Sequence, residues 1–124
     1  MSACYCGSGK SYEACCGRLH SGAENAASAE ALMRSRYSAY VLKLEDYLLA
    51  TWHPDTRPAE LDLDADDTKW LGLDVKKHVQ QDETHATVEF VARYRIAGKG
   101  YRLDELSRFV KQDGRWYYRD GELR

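Results

Sequence analysis

The sequence predicts an α+β protein: an amino-terminal zinc knuckle, then helices packed on a four-stranded antiparallel sheet. Three observations carry this expectation. All four cysteines fall between Cys4 and Cys16, apolar residues recur at helical spacing from Ser28, and the pattern changes to period two after Trp70. Helices first and strands later is the order of an α+β domain. A length of 124 residues suits one core with a small appendage. With 44% hydrophobic and 31% charged residues and only 2 prolines, collagen-like, low-complexity and wholly disordered chains are excluded. The net charge of -2, from 18 basic and 20 acidic residues, argues against a surface built throughout for nucleic acid. No stretch approaches the roughly 20 apolar residues of a membrane span. Residues 1–6 lack the basic and apolar regions of a signal peptide, so a cytoplasmic location is expected.

The first element, residues 1–23, has few large apolar groups and cannot bury a core of its own. Its cysteines are spaced Cys4-x-Cys6, eight residues, then adjacent Cys15 and Cys16. Four thiolates suit tetrahedral zinc, and a closed sulfur shell leaves no position for water or substrate, so the expected ion is a single structural Zn2+. Gly7, Ser8 and Gly9 let the backbone fold back and aim amide hydrogens at the sulfurs. A disulfide within either pair would join side chains too close along the backbone for relaxed geometry. His20 follows Cys16 at x3 spacing and is an alternative fourth ligand. Gly7-Ser8-Gly9-Lys10-Ser11 lacks the first glycine and the preceding strand of a phosphate loop.

Residues 24–124 form the larger domain. Met33, Tyr37, Tyr40, Val41 and Leu44 lie on one stripe of a helix that Ser28 can cap, with Arg34 and Arg36 at its opposite borders. A second helical run, Glu45 to Trp52, stops at His53-Pro54 because a residue before proline avoids the helical region. An acidic, irregular connection covers 54–67. Leu71 to Gln80 reads as the first strand. The clearest strand follows, with Ala86, Val88, Phe90, Ala92, Tyr94 and Ile96 on one face and Val91 as the exception on the other. Gly98-Lys99-Gly100 turns into a third strand over about 101–111, and Asp113-Gly114 turns into Trp116, Tyr117 and Tyr118.

The run from Cys4 through Gly7-Ser8-Gly9-Lys10-Ser11 to Cys15-Cys16-Gly17 resembles the SEC-C motif, the zinc knuckle named for the tail of the SecA translocase. Residues 29–40, Leu49-Ala50-Thr51-Trp52-His53 and Gly114-Arg115-Trp116-Tyr117-Tyr118 resemble the YchJ family of bacterial proteins. Together these cover most of the chain. The resemblance implies a domain similar to nuclear transport factor 2, a cone of helices against a curved sheet, and it assigns the zinc ligands to Cys4, Cys6, Cys15 and Cys16. Tyr5 stands where the motif commonly has proline. Some family members carry a second carboxy-terminal knuckle, for which this sequence has no further cysteines. The resemblance implies no reaction.

For the cone, Arg34, Arg36, Tyr37, Trp52, His53, Tyr94, Arg95, Arg108 and Tyr118 are the candidate lining of a pocket for a small anionic or aromatic ligand. The competing reading has the aromatics filling the core and the arginines solvated or paired. The residues favour a binding or adaptor module, with the knuckle as a possible contact for a protein partner. One alternative is a small-molecule enzyme of isomerase, dehydratase or hydrolase type using His53 and Tyr94. Its difficulty is the absence of an acid on the inward face of the 86–96 strand. Another is an adaptor, which the resemblance to the SecA tail implies would touch ribosome or translocation machinery through the knuckle, or nucleic acid through 93–119, whose eight basic and three acidic residues more usually mark the wet side of a sheet.

Overall fold

In the computed structural model, which describes residues 3–63 and 67–124, three helices precede one sheet. The helices are α1 (Cys16–His20), α2 (Ala29–Leu42) and α3 (Glu45–Ala50). The strands are β1 (Lys69–Gln80), β2 (His85–Ile96), β3 (Lys99–Gln112) and β4 (Arg115–Leu123). They form an antiparallel meander in the order β1-β2-β3-β4. The predicted α+β class and strand order are what the chain adopts. Asp64 and Asp66 of the acidic connection lie outside the described residues.

The Ser28 hydroxyl accepts from the Ala31 amide at 3.1 Å and starts α2, which ends where Lys43 turns left-handed at φ 59°. The helix is covered on more sides than a single stripe requires. Leu32, Met33, Ser35, Arg36, Tyr37, Ser38 and Ala39 are all buried, because the sheet, α3 and the knuckle each take part of the surface. Leu32, Met33 and Tyr37 pack against Val88, Phe90 and Ala92 of β2, Phe109 of β3 and Trp116 of β4. A smaller cluster of Ala39, Leu48 and Leu63 holds α3 beneath α2.

Several boundaries differ from the sequence reading, each for a hydrogen-bonding reason. The second helix stops at Ala50, and Trp52 instead bridges Tyr118 in parallel. The Tyr118 amide donates to the Thr51 carbonyl at 2.8 Å and the His53 amide to the Tyr118 carbonyl at 2.7 Å, so the open edge of β4 captures these backbone groups. The β2–β3 turn is Ala97-Gly98, both left-handed, and Lys99 and Gly100 already pair with Ile96 and Arg95. Register breaks at Trp70/Gly72, Val75/Lys77 and Arg108/Phe109 bend the sheet around α2. Ile96, expected to face inward, is 38% exposed because β2 outruns the helices at that end.

Candidate metal centre and cone cavity

The knuckle is a tight hairpin followed by one helical turn. Ala3 bridges Ser11, the Cys4 amide donates to the Lys10 carbonyl at 2.7 Å, and left-handed Gly7 and Gly9 reverse the chain between them. At Gly17 a Cβ would lie 2.8 Å from the Tyr12 carbonyl oxygen, so only glycine lets α1 start so close to this loop. The four Sγ atoms of Cys4, Cys6, Cys15 and Cys16 thereby come within 4.8 Å of one another. Cys4, Cys6 and Cys16 are buried, and all four are free thiols.

These separations suit a tetrahedral ion. Bonds of about 2.3 Å to four sulfurs place the sulfurs about 3.8 Å apart, and Cys6–Cys15 and Cys15–Cys16 measure 3.7 and 4.0 Å. Ser8 Oγ lies 3.2 Å from Cys15 Sγ, and Ser38 Oγ donates to Cys16 Sγ at 3.3 Å. The electrostatics point the same way. Hydrogen bonds from Cys16, then Ser8, pull the Cys6 thiol down to about 4 against its burial. The same hydrogen bond raises Cys16, and burial raises Cys15. Ionisation is thus favoured at Cys6 over Cys15 and Cys16, as expected of crowded acids that share hydrogen bonds. His20 takes no part in the cluster. Its Nδ1 lies 2.7 Å from the Tyr12 hydroxyl and its Nε2 2.8 Å from the Ser35 carbonyl oxygen, so both ring nitrogens are engaged.

A cavity of about 280 Å³ lies between α2 and the sheet. Of the expected pocket residues, Arg36, Tyr37, Trp52 and Tyr118 line it. The others lie elsewhere. Arg34 spans Glu30 and the Cys6 carbonyl, at 3.1 and 2.8 Å, and clamps the knuckle onto α2. Arg95 is exposed, and Arg108 pairs with Asp120 at 2.6 Å and Glu122 at 3.5 Å. Tyr94 stacks on Tyr101 with ring centroids 5.3 Å apart, beside Trp70. His53 sits behind β4, its Nε2 2.9 Å from Gln112 Oε1 and its Nδ1 accepting from the Asp55 amide.

Among the polar lining residues, Glu105 and Ser107 escaped the sequence reading, whereas Arg36 was expected. Alternation along β3 turns Leu103, Glu105, Ser107 and Phe109 inward together, which places a carboxylate in the cone. The Ser107 hydroxyl donates to Glu105 Oε2 at 2.6 Å. Extending to β3 the period-two test applied to β2 finds Glu105. Arg36 is 5% exposed, donates through Nη1 to the Leu48 carbonyl and Thr51 Oγ1 at 2.8 and 2.7 Å, and lies over the Trp52 and Tyr118 rings. Burial pushes its guanidinium below the usual value and holds the Tyr118 phenol up at about 12.

Among the described residues, half of the eight basic ones in 93–119 are ion-paired, with Arg108 one of them. Arg93 meets Asp74, Arg102 meets Asp104, and Arg119 meets Asp55. Among the described residues no helix is long and apolar enough to cross a membrane.

Two family models match the chain: YchJ, middle NTF2-like domain, over residues 28–121, and the SEC-C motif over residues 2–18. The chain belongs to the YchJ family. A UPF0225 protein of Bordetella parapertussis is 63% identical, with 99% of this chain and 94% of the relative covered. One from Ralstonia nicotianae is 56% identical over 98% and 92%. Among solved structures, a SEC-C motif containing protein from Rhodopseudomonas palustris superposes with a TM-score of 0.87 at 43% identity, covering 96% of both chains. Another, from Psychrobacter arcticus, gives 0.80 at 32% identity over 94% and 80%. Membership of the family agrees with the cysteine cluster as a metal site and with the cone built from α2 and the sheet.

Proposed function

We propose that the chain is a zinc-stabilised binding module: one structural Zn2+ held by Cys4, Cys6, Cys15 and Cys16, and a ligand site in the cone. The observation that carries the metal reading is the mutual approach of four sulfurs to within 4.8 Å at tetrahedral spacing. A divalent cation bound there supplies charge compensation and a cross-link for a segment that has little core of its own. Cys4, Cys6, Cys15 and Cys16 would complete a closed shell, Ser8 and Ser38 would hydrogen-bond its sulfurs, and Arg34 would hold the loop through the Cys6 carbonyl. Elemental analysis of unlabelled protein, paired with a thiol titration before and after denaturation, tests this. One zinc per chain with thiols protected until unfolding is the expected result. Four reactive thiols without metal, or cystines, would overturn it.

A second reading, small-molecule catalysis, is favoured by one observation: the Glu105 carboxylate inside the cone is placed to act as a base. This moves the candidate machinery from His53 and Tyr94 to Glu105. Cell extract incubated with the wild-type protein or Glu105→Gln and compared by mass spectrometry tests it. A product that appears only with the wild type supports catalysis, and identical extracts remove it.

A further inference from the structure

The cone contains two opposite charges that do not meet. Arg36 and Glu105 line the same cavity, yet among the described residues no carboxylate lies within 4.0 Å of the Arg36 guanidinium. Arg36 is fixed from behind by Leu48 and Thr51 and from the sides by two rings, so it cannot swing out to solvent. Glu105 is fixed as well, by the Ser107 hydroxyl and by Gly121, where a Cβ would come within 2.6 Å of Oε2. Trp52 adds a third polar group, and this one has no partner: its Nε1 is buried and meets no acceptor among the described residues. The remaining wall is aromatic and aliphatic, with Tyr37, Tyr40, Trp70, Phe90 and Phe109 prominent.

A desolvated guanidinium and an indole donor both gain from an anionic oxygen, and a carboxylate gains from an ammonium or another strong donor. A purely anionic ligand would face Glu105, and a purely cationic one would face Arg36. The cavity volume falls near the lower limit of the roughly 300 to 1,000 Å³ found for ligand pockets, which suits one ring rather than a nucleotide. From this we infer that the cone binds a small aromatic zwitterion, its carboxylate toward Arg36 and Trp52, its ammonium toward Glu105 and its ring against the aromatic wall. The inference rests on the reading of the cone as the ligand site and adds the class of ligand.

The test is calorimetric titration of the zinc-loaded full chain with five single-ring probes, alongside NMR of the Trp52 indole proton. The probes are 3- and 4-(aminomethyl)benzoate, 4-methylbenzoate, 4-methylbenzylamine and 4-methylbenzyl alcohol. One of the two zwitterions should bind about tenfold or more tightly than any singly charged or neutral probe and shift the indole proton. Glu105→Gln, nearly isosteric and able to keep the Ser107 hydrogen bond, should remove most of that advantage while leaving 4-methylbenzoate binding no weaker. The alcohol or a singly charged probe binding as tightly as both zwitterions, or a Glu105→Gln variant with undiminished preference, overturns the ligand class but leaves the cone as a site. If no probe binds or moves the indole proton, the ligand class and the reading of the cone fail together. The probe series on unmodified protein decides the matter even if the variant fails to fold.

Discussion

Gly121 has no side chain, and the space this leaves is where the Glu105 carboxylate rests. A Cβ there would also come within 3.2 Å of the Leu106 carbonyl, but the closest atoms belong to the movable end of Glu105. Gly121→Ala should therefore displace the carboxylate more than the backbone. Unfolding free energy in urea should change by less than about 1 kcal/mol, while affinity for the aromatic zwitterion falls. A loss of several kcal/mol, or unchanged affinity, would show that Glu105 is not positioned in this way. His20 gives a pH prediction with a definite sign. Burial, opposed by the hydrogen bond to the Ser35 carbonyl, lowers its folded value below the ordinary 6.5, so the fold favours neutral imidazole. Its contribution is complete above about pH 6.5 and is lost as pH falls from there through the lower folded value. Denaturation of wild type and His20→Gln across this range should show stability curves that converge toward acid. Parallel curves would remove the effect. These pairings also explain what single residues disclosed in advance. Four cysteines in thirteen positions announce a metal site by spacing alone, whereas the engagement of His20 with Ser35 depends on how α1 meets α2, which no local pattern encodes.

At the level of elements, α2 carries the greatest structural demand, because it supplies one wall of the cone and the seat of the knuckle. Its start depends on the Ser28 hydroxyl accepting from the Ala31 amide. Ser28→Ala should lower unfolding free energy by about 0.5 to 2 kcal/mol without altering cone binding; urea denaturation measures it, and an unchanged midpoint would mean that water or a neighbour replaces the cap. The long strand of 86–96 was legible because one face is buried along most of its length, which imposes strict alternation. The second helix ends short of Trp52 because the Thr51 carbonyl accepts from the Tyr118 amide and the His53 amide donates to the Tyr118 carbonyl on the edge of β4, a partner more than sixty residues away in sequence. Arg36 shows the same limit in the cone. Its sequence position marked a stripe border, but only the convergence of α2, α3 and β4 makes it a buried cation between Trp52 and Tyr118.

For the whole molecule, the question is whether the knuckle and the cone stand or fall together. Their contacts are specific but few, among them Arg34 to the Cys6 carbonyl, Ser38 to Cys4 and Cys16, His20 to the Ser35 carbonyl and the Tyr47 ring, and Leu73 against the cysteines. The cone's own core, from Leu32 and Met33 to Phe109 and Trp116, includes no residue of the knuckle, and no knuckle residue lines the cavity. A sulfur cluster with Tyr12 and Leu73 around it is too small to hold a fold without its cross-link. Chelation should accordingly release residues 3–23 while β2 and β3 keep their protection. Amide exchange followed by NMR, with and without chelator, reads both regions at once. New resonance positions at Arg34, Ser35 and Ser38 should mark the uncovered face of α2, and the cone should still bind its ligand within a few-fold of the metal-loaded affinity. Loss of protection throughout the sheet on chelation would instead make the metal a condition for the entire fold, and the contacts of Arg34, Ser38 and His20 would then have to carry far more coupling than their number suggests.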